Sequence, residues 1–148
     1  MHDLGTLGGS SSVGAGINTQ GQVVGYSLLT GNAGQHAFIW DSSGGMQSLG
    51  SLGVDSSRAF AINNLGQVTG TSQYSSITNE EHVFLWDEVN GMQDLGGLDG
   101  GSGSGFAIND QTEITGESDG RAFIWDRDNG MRDLCVVTKC TDNGWTGL

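Results

Sequence analysis

Short apolar runs bounded by turn residues recur along the chain. Phe38-Ile39-Trp40-Asp41, Phe84-Leu85-Trp86-Asp87 and Phe123-Ile124-Trp125-Asp126 share one pattern. Each is too short for a helix and rich in the aromatic and branched residues that suit strands. Side chains alternate along a strand, so His36, Phe38 and Trp40 project to one side and Ala37 and Ile39 to the other; Phe84 and Trp86 oppose Val83 and Leu85 in the same way. Both sides are apolar, which predicts a strand covered on both faces. Upstream, Ala15-Gly16-Ile17, Ala59-Phe60-Ala61-Ile62 and Phe106-Ala107-Ile108 run into Asn18-Thr19-Gln20-Gly21, Asn63-Asn64-Leu65-Gly66 and Asn109-Asp110-Gln111-Thr112. Asn at the first position and Gly at the fourth favour a type I turn, so the third copy, with Thr112 in place of Gly, is expected to close less tightly. A second strand follows at Gln22-Val23-Val24-Gly25-Tyr26, Gln67-Val68-Thr69-Gly70 and Glu113-Ile114-Thr115-Gly116. After the Phe-x-Trp strand, turns such as Asp87-Glu88-Val89-Asn90-Gly91 and Asp126-Arg127-Asp128-Asn129-Gly130 lead to a fourth, since Asn-Gly is a strong hairpin signal. The pattern predicts four short strands per unit and no helix.

The fourth strand carries the clearest mark of repetition. All four methionines fall in one phrase, at Met1-His2-Asp3-Leu4, Met46-Gln47-Ser48-Leu49, Met92-Gln93-Asp94-Leu95 and Met131-Arg132-Asp133-Leu134. A spacing of about 45 residues, shorter in the third copy, belongs to arrays, propellers and solenoids. The expected layout is a single repeat domain over 1–148: residues 1–8 as the last strand of a preceding unit, repeats at 9–53, 54–98 and 99–134, and 135–148 as the truncated start of another. The expected fold is all-β, three four-stranded antiparallel repeats forming β-propeller-like blades, a partial propeller. A β-trefoil, which also has three units of this size, is the alternative; its barrel strands should alternate apolar and polar, and these do not. Ala15, Ala59, Ala61 and Ala107 suit the crowded innermost strand of a blade.

Together, Leu-Gly-x-Leu-Gly, Ile-Asn, Gly-x-Val-x-Gly and Phe-x-Trp-Asp, with the triplet His36-Ala37-Phe38, resemble extracellular repeat proteins of the HAF type over almost the whole chain. Leu4-Gly5-Thr6-Leu7-Gly8 and Leu49-Gly50-Ser51-Leu52-Gly53 keep the first motif. His82-Val83-Phe84 and Arg121-Ala122-Phe123 depart from the triplet, so its His is not an indispensable ligand in the third copy. The resemblance implies a secreted or surface bacterial protein with propeller-like repeats, normally more than three, and no general activity.

Composition narrows the function. With 5 basic residues against 17 acidic ones and a formal net charge of -12, the chain repels phosphate backbones and anionic lipid, so nucleic acid is not an expected partner. No apolar run approaches a membrane span, and Met1-His2-Asp3-Leu4 lacks the basic start and apolar stretch of a secretory signal, which is expected to be absent or already removed. The location that the resemblance implies is extracellular or at the cell surface.

Candidate chemistry is sparse, and no catalytic residue, metal ligand or cofactor is expected. The Trp-Asp pairs end a strand and suit packing and turn formation. His36 and His82 would lie a blade apart, too far to share a metal, and are expected to pack or hydrogen bond. Asp126-Arg127-Asp128-Asn129-Gly130 lacks the later acidic ligand of a calcium loop. No Lys or helix start follows Gly100-Gly101-Ser102-Gly103-Ser104-Gly105, which reads as a flexible linker rather than a phosphate cradle. Cys135 and Cys140 are expected to form a short disulfide loop. In a meander the loops between second and third strands lie at one end with the inter-unit links, and these loops are the least regular part of each repeat. Asn32, Gln35, Tyr74, Asn79 and Glu80 are therefore the candidate ligand-binding residues. The expected function is a non-enzymatic extracellular repeat module that binds a polar surface, glycan or protein, or serves structural assembly, as a homo-oligomer joined through exposed blade edges. The alternative is a carboxylate-dependent, glycosidase-like hydrolase at the loop face using residues such as Asp55, Glu80, Glu81 and Asp99.

Overall fold

The computed structural model describes residues 1–137. In these residues twelve strands form three four-stranded antiparallel sheets, each a meander. The first contains β1 (Gly8–Ile17), β2 (Val23–Leu29), β3 (Gln35–Asp41) and β4 (Gly45–Gly50); the second β5 (Ser57–Ile62), β6 (Val68–Gln73), β7 (Glu81–Asp87) and β8 (Gly91–Gly96); the third β9 (Gly103–Ile108), β10 (Ile114–Ser118), β11 (Arg121–Asp126) and β12 (Gly130–Asp133). None closes into a barrel, so the repeats are blade-like and the trefoil alternative falls. Among the described residues, helix is confined to 3₁₀ turns at Thr30–Asn32 and Leu98–Gly100 and to α1 (Leu134–Val137).

Apolar residues on both faces of the third strand stack these sheets. Ala37 and Ile39 of β3, with Val24 and Leu49, meet Ala59, Ile62, Val68 and Phe84 of the second sheet. From the other face of β7, Val83 and Leu85 meet Leu98, Ile114, Phe123 and Trp125. Val83, Phe84 and Leu85 are all 0% exposed, as a strand between two sheets must be. The sheets approach most closely through their first two strands and splay toward the fourth. Ala59 is fully buried at this inner edge, whereas Ala15 and Ala107 are exposed because, among the described residues, the end sheets have a neighbouring sheet on one side only.

Two hydrogen-bond motifs recur along the stack, one within each repeat and one between repeats. A serine two residues after each second-strand glycine accepts from the leucine that enters its sheet: Leu7 N–H to Ser27 Oγ at 2.8 Å, Leu52 N–H to Ser72 Oγ at 2.9 Å and Leu98 N–H to Ser118 Oγ at 2.8 Å. The same hydroxyls donate to the carbonyls of Ser11, Ser56 and Ser102. All three serines are essentially inaccessible, so these bonds satisfy polar groups that would otherwise be costly to bury. The second motif is a ladder of asparagines. Asn18 Nδ2 donates to the Asn63 carbonyl at 3.1 Å, and Asn63 Nδ2 to that of Asn109 at 2.9 Å, while each Asn Oδ1 accepts two backbone N–H groups of its own turn.

Several loop-like segments prove to be ordered strand. β1 extends back through Gly9-Ser10-Ser11-Ser12, and β9 takes in Gly103-Ser104-Gly105, half of the expected linker. Gly103 and Gly105 are buried because their bare backbone packs on the second sheet: a Cβ at Gly105 would overlap Thr69 Oγ1. The third turn is not looser either. Thr112 N–H reaches the Asn109 carbonyl at 3.1 Å, the same as Gly21 to Asn18, with Thr112 at φ +63°. Its hydroxyl bonds Gln67 Oε1 at 2.8 Å and helps hold this left-handed conformation, which is unfavourable for a branched residue.

Turns between third and fourth strands are closed by Asp41, Asp87 and Asp126, whose Oδ1 atoms accept from backbone N–H groups two and three residues on. Each carboxylate is held below its usual value of 3.8: Asp41 chiefly by the Ser43 hydroxyl, Asp87 by the Asn90 side chain, Asp126 by the Asn129 N–H. A lowered folded-state value means that these bonds contribute fully above the unfolded-state value and are lost as pH falls through the folded one. Thermal stability should therefore be level from neutrality to about pH 5 and drop below about pH 4. In an Asp41→Asn, Asp87→Asn, Asp126→Asn variant, whose amides still accept but do not titrate, the acid decline should be shallower; equal slopes for the two proteins would refute this assignment.

Candidate functional site

At one end of the stack lie the loops between second and third strands, together with the links between sheets. Gln35 opens β3, and its N–H donates to the Asp55 carbonyl in the link to the second sheet at 3.1 Å. Asn32 ends the 3₁₀ turn at φ +53°, its Oδ1 accepting from Ser10 N–H at 3.0 Å. In the second loop, Tyr74 N–H donates to the Glu80 carbonyl at 2.8 Å and Gln73 Nε2 to Asn79 Oδ1 at 3.1 Å, which closes Tyr74, Asn79 and Glu80 into one hairpin. Gln73 N–H also reaches the Ser56 carbonyl at 2.8 Å. The two loops thus flank the same Asp55-Ser56 link. The third loop shrinks to Asp119-Gly120, tied to the Glu117 carboxylate.

Tyr74 is about half exposed, at 51%, and stacks on His82 with ring centres 4.6 Å apart and planes 12° from parallel. His82 is fixed in turn by Asp94, Nδ1 lying 2.9 Å from Oδ1. His36 occupies the same place in the first sheet, its Nδ1 2.8 Å from Ser48 Oγ and its Nε2 3.4 Å from Asp55 Oδ1. In the third sheet Arg121 replaces the histidine and pairs across the strands with Asp133 at 3.3 Å. The first residue of the His-Ala-Phe triplet is therefore a cross-strand polar partner for the fourth strand, a role that His or Arg can fill.

The carboxylates of the hydrolase alternative lie at this end but are distributed among different partners. Glu81 accepts from Arg58 at 2.9 Å, Asp99 from Arg121 at 2.8 Å, and Asp55 faces His36. The bond that Arg121 donates to Asp99, more than the charge of Asp133, keeps Arg121 protonated more firmly than usual. Among the described residues no group of three or more His, Cys, Asp or Glu side chains is placed to hold a metal ion. Cys135 is exposed, and Cys140 lies outside the described residues, as does the expected bridge between them. No helix among the described residues is long and apolar enough to cross a membrane.

At the opposite end, the turns after first and third strands enclose a groove of about 550 Å³ between the first and second sheets, lined among others by Gln22, Gln47, Gly66 and Trp86. Its residues escape a sequence reading that looks for recognition in irregular loops, because they belong to the repeat phrases. The buried serines Ser27, Ser72 and Ser118 also escape it, although Gly25-Tyr26-Ser27, Gly70-Thr71-Ser72 and Gly116-Glu117-Ser118 carry a Gly-x-Ser signal in all three copies.

No family model, no curated protein and no solved structure matches the chain.

Proposed function

We propose that the chain is a non-enzymatic extracellular repeat module that binds a polar surface, glycan or protein, through its loop end. The observation that carries this reading is a constant scaffold bearing unlike loops: residues 30–34, 74–80 and 119–120 join the same pair of strands in the three sheets. Loops that differ on a fixed frame are where recognition is usually placed. Tyr74, held flat against His82, offers a pre-ordered ring, with Asn79 and Glu80 beside it. Membership of the HAF-type repeat proteins and a bacterial cell-surface setting belong to the same proposal, supported by the repeat phrases. The test is a screen of glycan and surface-protein probes run beside glycosidase and esterase substrates. Binding without turnover is expected, and replacing Tyr74, Asn79 and Glu80 together with Ala should abolish it at this end while leaving the melting temperature within a few degrees. Turnover lost on replacing Glu80 or Glu81 alone would overturn the reading in favour of the hydrolase.

The same proposal includes self-association. The outer face of the third sheet carries a small, largely apolar hollow lined by the cross-strand neighbours Ala107, Thr115 and Ile124, the face that in the first two sheets receives the next sheet. The Asn109 and Asp110 turn ends the asparagine ladder at the same place. Native mass spectrometry should show multiples of the 15.4 kDa chain; compact monomer at every concentration would contradict it.

A further inference from the structure

We propose that the groove between the first and second sheets, at the turn end of the stack, is a second binding site and takes a neutral glycan; this goes beyond the loop-end reading and does not depend on which ligand the loops bind. Its polar lining is only partly used by the protein itself. Gln22 Oε1 accepts from Asn18 Nδ2 at 2.7 Å, leaving the Gln22 amide N–H₂ without a partner among the described residues. Among the same residues the exposed side chain of Gln47 makes no hydrogen bond, and the partly exposed Trp86 has an unbonded indole N–H. Asp41, by contrast, is occupied by its own turn. Amide donors beside an indole match the hydroxyls and the apolar face of a sugar ring. Glu88 at the rim and the net charge of -12 disfavour an anionic ligand.

A glycine keeps this groove open. Gly66, at φ +75°, would place a Cβ no closer than 3.7 Å to any neighbour, that neighbour being Gln22 Oε1. At the second junction Thr112 stands in the corresponding position, and its hydroxyl reaches Gln67 Oε1, the counterpart of Gln22. The repeat thus leaves a cleft at one junction and fills the same place at the next with a side chain.

The test uses the whole chain on an array of neutral and acidic oligosaccharides with a Lys-rich peptide as control, followed by titration of tryptophan fluorescence with the neutral oligosaccharide that binds best. Gly66→Asn fills the groove with a residue that tolerates the left-handed region, and Gln47→Ala removes an exposed donor. Each should weaken that binding by about tenfold, the loss expected of a displaced or missing polar contact, and the Tyr74, Asn79, Glu80 triple variant should leave it unchanged. The inference is overturned if no neutral oligosaccharide binds, if only acidic sugars or the peptide bind, or if neutral binding is indifferent to both groove variants. Neutral binding lost only in the triple variant would place the ligand at the loop end and leave the proposed module intact.

Discussion

Phe84→Ala should cost about 3–5 kcal/mol, a large share of the roughly 5–15 kcal/mol that stabilises a domain. The ring is 0% exposed in the middle sheet and packs with Val24, Ala37, Ile39 and Leu49 of the first. Removing it opens a cavity at one junction and weakens the sheet on which the other junction rests. Urea denaturation should therefore show both junctions lost in one transition at a much lower midpoint. Trp86, which is only partly buried, should be less sensitive. A cost below about 1 kcal/mol at Phe84 would place the core elsewhere.

Gly70→Ala should be nearly as damaging, by about 3 kcal/mol, though it adds a single methyl group. The register of β5 against β6 slips between Ala59 and Ala61, and this bulge brings the Arg58 carbonyl oxygen onto Gly70 so closely that a Cβ there would overlap it. Gly25 meets the Val13 carbonyl and Gly116 the Ser104 carbonyl in the same way. The obstacle is backbone, so relief requires moving a strand rather than rotating a side chain. Gly21→Ala is the control: it faces open space at φ +76° and should cost about 1–2 kcal/mol for its left-handed backbone alone. Equal effects at the two positions would remove the bulge as the reason for the repeat glycine.

Much of this fold was legible because each repeat states its strands in nearly the same words. The apolar pairs on both sides of Phe38 and Phe84 identified stacked sheets, and the Asn-initiated turns fell where the ladder now runs. What stayed hidden depends on contacts between distant segments. Gly103-Ser104-Gly105 has no side-chain pattern to mark a strand, and its order comes from packing against Thr69 and Val83. The tight Thr112 turn is held with a residue from another sheet, which no local turn preference can anticipate. The loop residues Tyr74, Asn79 and Glu80 were legible as a group through the irregularity of their loop. The groove was not, because Gln22, Gln47 and Trp86 lie far apart in sequence and converge only when two sheets stack.

The account rests on consecutive sheets packing into one stack, and backbone amide hydrogen exchange at Ala37 and Glu81 tests this most directly. The Ala37 N–H of β3 donates to the Ser57 hydroxyl of the next sheet at 2.9 Å, and the Glu81 N–H of β7 to the Ser102 hydroxyl, in the link that enters the third sheet, at 3.3 Å. Both should exchange as slowly as the strand amides of β6, because release requires the junction to open. Exchange at Ala37 and Glu81 as fast as at the exposed loop residue Ile77 would contradict the stack.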